Sequence, residues 1–143
     1  MKQYIIIENN KSKFAIDILK TQEIIQTQKL TRIPGSSPLM LGMTSVREQL
    51  YNIYDMGLVL ASEKIDIEKK ETKILLMEMF RNSRFGFLIE GNIEIKDIEE
   101  EDIKQVKIGN TIDNVVTIDN EIYMILDYDY LIKEIYPNAE ITK

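Results

Sequence analysis

The chain has 143 residues, of which 44% are hydrophobic and 29% charged, and its formal net charge is −6. This size and composition predict one globular domain with an apolar core of its own. The absence of cysteine and histidine excludes disulfides, thiolate catalysis and the commonest general base. The acidic balance argues against nucleic-acid binding, which usually needs a basic face.

The N-terminal part of the chain is typical of short strands. Gln3–Glu8 is an apolar run, and apolar residues alternate with polar ones in Lys13–Leu19, as in a half-buried strand. Lys20–Gln26 fits either a helix or a bent strand. The first residues lack the apolar core of a signal peptide, and no run approaches the ~20 residues of a membrane span. We therefore expect a cytoplasmic protein without direct membrane insertion.

The middle of the chain begins with a break at Ile33–Pro38, which is rich in proline, glycine and serine. Leu39–Leu41 is expected to form one helical turn. Two apolar runs follow in Met43–Leu60, and Ile65–Glu71 is polar and predicts a loop. The clearest hairpin of the chain joins two strands across the turn at residues 81–84, namely Ile74–Met79 and Phe85–Ile89.

The last third of the chain predicts a short helix from Asp97 to Val106, because acidic residues favour the positive end of a helix. Val115–Ile118 and Ile122–Leu126 predict strands around an Asp-Asn turn, and Asp127–Ile135 predicts a closing helix. Several short strands separated by turns indicate an all-β barrel or sandwich with short helices.

Residues for catalysis or cofactor binding are scarce. The serines have no histidine to serve as their base, and the acidic run Glu99–Asp102 is typical of a solvated face. Asp127-Tyr128-Asp129 lacks the glycine and the closing glutamate of a calcium loop. We therefore predict a protein that is not an enzyme and has no cofactor or metal. A small-ligand β-barrel that uses these carboxylates stays open as an alternative.

A longer pattern resembles a known family. The segment from Phe14 to Asp55 resembles, almost without gaps, the core of the CheW-type chemotaxis coupling proteins. Two later segments resemble that family's V-x-G-x-x-V-D-x-V and closing I-x-L-L-D patterns, namely Phe85–Gly91 and Ile122–Leu126. The resemblance implies two small five-stranded SH3-like β-barrel subdomains on a shared apolar core. It makes residues 1–143 a single domain, with residues 1–40 plus 112–143 in the first subdomain and 41–111 in the second.

The resemblance also implies function and partners. Proteins of this family are non-enzymatic adaptors that bridge the cytoplasmic tips of methyl-accepting chemoreceptors to the regulatory domain of the histidine kinase CheA. A divergent CheW-like or CheV-like scaffold for another motility or signalling pathway is the alternative. We expect no receiver domain within these 143 residues, which argues against a full CheV protein.

The family pattern places four candidate receptor- or kinase-binding residues in the first half of the chain, Arg47, Gly42, Glu23 and Thr21. An arginine presents a planar fork to a carboxylate or to helix-end carbonyls, although Arg47 could instead form an internal salt bridge with Glu48 or Asp55. Gly42 either lets a partner helix approach or is an ordinary turn glycine. Glu23 and Thr21 are expected on an exposed strand.

Three residues depart from the family pattern around these candidates, Ser45, Glu48 and Asn52. Glu48 stands where the family has a turn glycine, and glutamate adopts a positive φ only at a cost. We therefore expect a reshaped turn. Glu48→Gly should be neutral or stabilising only if residue 48 has a positive φ.

Overall fold

The computed structural model describes residues 1–9, 12–60, 71–109 and 111–136. These ranges contain strands β1 (Lys2–Asn9), β2 (Ser12–Asp17), β3 (Thr21–Gln26), β4 (Met40–Val46), β5 (Gln49–Asp55), β6 (Thr72–Met77), β7 (Phe85–Glu90), β8 (Glu94–Ile98), β9 (Lys104–Ile108), β10 (Thr111–Ile118) and β11 (Glu121–Leu126), with helices α1 (Met56–Val59) and α2 (Tyr128–Ile135). Within them, no helix is long and apolar enough to cross a membrane.

The first sheet joins the two ends of the chain. Its six strands lie in the order β8-β1-β2-β11-β10-β9. The pairs are antiparallel except β2 with β11, which run parallel. Both central strands, β2 and β11, are therefore hydrogen-bonded on both sides.

The second sheet has five strands in the order β3-β6-β7-β5-β4. The segment after β3 folds back onto β4, where Thr31 and Met43 exchange two backbone hydrogen bonds of 2.8 Å each. The Gln28 side-chain amide also donates to the carbonyl of Ser45 at 2.7 Å. These contacts bring the two edges of the sheet together, as the closure of a small barrel requires.

The two sheets share one large apolar core, and strand β1 contributes side chains both to it and to a smaller core. Ile5 and Ile7 point into the large core shared with the second sheet, whereas Tyr4 and Ile6 point into a smaller core inside the first. A strand that is buried on both faces must be apolar at consecutive positions. The run YIIIE therefore follows from the position of β1 between two cores.

Helix α2 carries the chain from the first sheet back onto the second. It starts where the Asp127 carboxylate accepts a hydrogen bond from the backbone N–H of Asp129 at 3.2 Å. The Tyr128 hydroxyl donates to the carbonyl of Glu78 at 2.7 Å, and burial is the main cause that raises the pKa of Tyr128 to about 12. The apolar face of the helix fills the shared core with Leu131, Ile132 and Ile135.

The predicted all-β architecture on a shared core is confirmed, with six strands in the first sheet where the resemblance implies five. The hairpin of β6 and β7, the strands β10 and β11, and helix α2 are also confirmed. Lys20–Gln26 resolves into the bent strand β3, whose register shifts between Thr21 and Glu23. The loop expected at Ile65–Glu71 lies almost entirely outside the described residues.

Two local predictions are wrong. The helix expected from Asp97 to Val106 is instead the end of β8, a 3-10 turn at Glu100–Asp102 and the start of β9. Pairing with β1 and β10 satisfies the backbone there, and the acidic residues occupy the exposed turn. The helical turn expected at Leu39–Leu41 is instead the start of β4, which pairs with β5.

Sheet membership also divides the chain differently from the implied subdomains. β3, expected in the first subdomain, lies in the second sheet, and β8 and β9, expected in the second, lie in the first sheet. The chain leaves the first sheet at the 3-10 turn Ile18–Lys20 and returns between β7 and β8. We propose that these crossings bound the subdomains.

Candidate functional site

The turn between β4 and β5 places Arg47 at one end of the second barrel. The turn has only two residues, and both have positive φ, 49° at Arg47 and 67° at Glu48. Positive φ at both central residues is the requirement of a type I′ hairpin turn, whose twist matches that of the flanking strands. Residue 48 therefore has the backbone conformation that favours glycine.

Arg47 reaches across the barrel end to Glu23 on β3. Its guanidinium Nη2 donates to the Glu23 carboxylate Oε1, and their side chains are 68% and 35% exposed. The structure thus brings two of the four candidate residues together. The internal partner of Arg47 is Glu23 and neither Glu48 nor Asp55. The buried Asp55 carboxylate accepts a hydrogen bond from the Leu58 N–H at the start of α1 instead.

The neighbouring hydrogen bonds hold this barrel end in place. The hydroxyl of Tyr51, which is buried on β5, donates to the Gln22 side chain at 2.8 Å. Gln22 occupies the shift in register of β3, so β3 and β5 are tied together beside the Glu23–Arg47 pair. The pair is exposed to solvent, but the strands that carry it belong to a closed and packed barrel.

Gly42 contributes to the shape of the barrel. It is buried, and a β-carbon at this position would lie 2.7 Å from the carbonyl oxygen of Thr31. The space next to Gly42 is therefore filled by the chain's own backbone, at the point where the segment after β3 closes onto β4. Any role of Gly42 in partner binding is indirect, through the position of β4.

Thr21 lies at the start of β3, half-buried and turned toward the 3-10 turn. Its hydroxyl donates to the carbonyl of Ile18 at 2.8 Å and not to the Glu23–Arg47 pair. Leu50, which flanks the turn between β4 and β5 in the sequence but is not among the four candidates, is 61% exposed on β5. The sequence indicates this exposure, because residues alternate between the two faces of a strand and Leu50 lies on the face opposite to the inward-facing Tyr51 and Ile53.

The carboxylates considered for metal or ligand binding do not converge. Asp127 caps the start of α2, Asp129 lies in its first turn, and the acidic residues 100–102 lie exposed on a 3-10 turn. Among the residues that the structure describes, no group of three or more potential ligands is placed to hold a metal ion. The barrel end around the Glu23–Arg47 pair is therefore the candidate site that the sequence and the geometry share.

Comparison with known proteins identifies the family. The model of the CheW-like domain matches residues 3–135. The chain belongs to the CheW-like domain family. Two proteins named chemotaxis protein CheW are each 23% identical to this CheW-like domain, over 99% of the chain and 88% of the Bacillus subtilis protein, and over 72% of the chain and 61% of the Klebsiella aerogenes protein.

A solved structure shares the fold of this CheW-like domain. The scaffolding protein TtCheW from Thermoanaerobacter tengcongensis superimposes with a TM-score of 0.78, at 18% identity, over 91% of this chain and 86% of that one. Membership of the family assigns the chain a general role as a scaffold or coupling protein of chemotaxis signalling. At these identities it is a divergent member, as the sequence resemblance implied.

Proposed function

We propose that this protein is a non-enzymatic cytoplasmic adaptor that couples the tips of methyl-accepting chemoreceptors to the regulatory domain of the histidine kinase CheA. The observation that carries the proposal is the exposed Glu23–Arg47 pair, which joins two residues selected from the family pattern at one barrel end. The remaining support is membership of the CheW-like domain family.

The pair is suited to exchange with a partner. An exposed ion pair contributes only about 0.2–1 kcal/mol, so a partner's carboxylate or helix-end carbonyls can replace Glu23 as the acceptor at little cost. Arginine keeps its charge throughout and offers several donors in a fixed fork. Leu50 supplies an apolar contact three residues further along the chain. A helical receptor tip offers the apolar and polar groups that would complement this surface.

Binding measured by calorimetry with a receptor-tip fragment and with the CheA regulatory domain tests the proposal. We expect Arg47→Ala to weaken receptor binding by about tenfold to a hundredfold, since losing a charged hydrogen bond costs about 1.5–3 kcal/mol. Arg81→Ala is the matched control, because Arg81 has a similar φ of 54° and loses the same charge at another hairpin. Equal effects of the two substitutions, or no binding of either partner at tens of micromolar protein, would overturn it.

A scaffold for another motility pathway, CheW-like or CheV-like, is a second candidate because the same barrel end departs from the family pattern. Glu48 occupies a position with positive φ, and the N–H of Asn52 donates to the carbonyl of Arg84 at 3.0 Å. A proline, which the family often has at position 52, lacks that donor. Binding to the kinase domain without binding to any receptor tip would favour this candidate.

A further inference from the structure

A groove of about 690 Å³ lies beside both helices, on the face of the first sheet that also sends Ile16 and Leu126 toward the shared core. Strand residues form its floor, and Leu60 after α1 and Tyr130 of α2 stand on its walls. The apolar lining includes Phe14, Met124 and Leu126. The Glu23–Arg47 pair is not part of it, because Arg47 precedes β5 and Leu60 follows α1. The seven residues of β5 alone separate the two places by about 20 Å.

The width and backbone pairing of the groove floor suit a bound helix and not an added strand. The floor spans three adjacent strands, β2, β11 and β10, which is about 10 Å across and close to the diameter of an α-helix. Cross-strand pairing aligns Phe14 with Met124 and Met124 with Val115 on this face. Since β2 and β11 are already hydrogen-bonded on both sides, the floor offers no free edge to an added strand.

The rim of the groove is negatively charged, which favours a positively charged ligand. Two carboxylates, those of Asp113 and Asp127, line the groove, and no lysine or arginine of the described residues does so. The pKa of Tyr130 is raised, first by burial and then by the carboxylates of Glu134 and Asp113. The apolar floor continues outward along β11 to Ile122, which is 64% exposed. The site therefore combines an apolar strip with a negative border.

We propose that this groove docks a basic amphipathic helix of a partner protein, with its apolar face on Phe14 and Met124 and its lysines or arginines against Asp113 and Asp127. This surface is independent of the proposed receptor site at the other end of β5. It gives the protein a second interaction face that recognises a helix by apolar pattern and positive charge.

A labelled helical peptide built from leucine and lysine, with leucine on one face, is the probe, and fluorescence polarisation at physiological salt is the readout. We expect the wild-type protein to bind it at least about tenfold more tightly than the same peptide with glutamate for lysine. Met124→Gln and Asp113→Asn should each weaken binding by about fivefold or more, whereas Met124→Leu should bind like the wild type.

Two matched controls separate the groove from general attraction to an acidic protein. Met79→Gln changes a methionine that is 40% exposed just after β6, and Asp97→Asn removes the same charge from the exposed face of β8. Both should stay within about twofold of the wild type. Equal losses in the controls, unchanged binding by Met124→Gln, or a dimer in sedimentation that Ile122→Asp dissociates would overturn the proposal.

Discussion

Replacing Glu48 with glycine should stabilise the protein. A non-glycine residue in the left-handed region costs about 1–2 kcal/mol, and Glu48 has a φ of 67°. Glycine loses more backbone freedom on folding, which offsets about 0.5–1 kcal/mol of the stability gained by relieving this strain. The Glu48 side chain is exposed, so its removal disturbs no packing. We expect a net gain of about 0.5–1 kcal/mol, or about 2–4 °C in Tm for a chain of this size.

Urea unfolding followed by circular dichroism measures the gain directly, as a shift in midpoint at constant slope. Glu48→Ala is the first control, because it removes the same carboxylate and keeps the β-carbon, and it should not stabilise. Asn120→Gly is the second control. Asn120 has a φ of 66° in the equivalent turn, but asparagine tolerates that region, so this substitution should stabilise the protein less than Glu48→Gly. If Glu48→Gly gains no more than Glu48→Ala, backbone strain at this turn is not the cause.

The remaining predictions concern three other sites. A double-mutant cycle of Arg47→Ala with Glu23→Gln should give a coupling of about 0.2–1 kcal/mol in urea unfolding, so a sharp loss of stability would make the pair structural. Gly35→Ala should cost only the strain of its φ of 78°, because its β-carbon meets nothing within 4 Å, whereas Gly42→Ala should cost about 1–3 kcal/mol more than Gly35→Ala by forcing its β-carbon against Thr31. Because the pKa of Tyr128 is raised to about 12, its contribution to stability is complete below pH 10 and is lost as the pH rises toward 12. Tyr128→Phe should remove one tyrosine from the late phase of an absorbance titration, and an unchanged late phase would contradict this assignment.

Elements defined by local pattern were predictable from the sequence. The turn at residues 81–84 lies between two apolar runs, and the structure has β6 and β7 there. Leu131, Ile132 and Ile135 repeat at helical spacing after Asp127, and they form the buried face of α2. In both cases the burial that stabilises the element acts on residues close together in the chain, so the pattern carries the information.

Contacts between distant residues were not predictable in the same way. Arg47 and Glu23 are 24 residues apart, and only the closure of the segment after β3 onto β4 brings them together. The helix expected from Asp97 failed for a related reason. The acidic residues there suit a helix start, but the backbone of the flanking residues pairs with β1 and β10, and sheet pairing overrides local preference.

The two proposed interaction surfaces depend on one rigid element. Strand β5 is hydrogen-bonded to β4 and β7, and its inward residues Tyr51 and Ile53 are buried. The Glu23–Arg47 pair lies at its start, and the groove beside Leu60 lies beyond its end. A packed strand cannot shorten or bend without breaking its ladder, so partners at the two ends would be held at a fixed separation. This arrangement suits an adaptor, because a scaffold transmits geometry between partners only if the element between its sites is stiff.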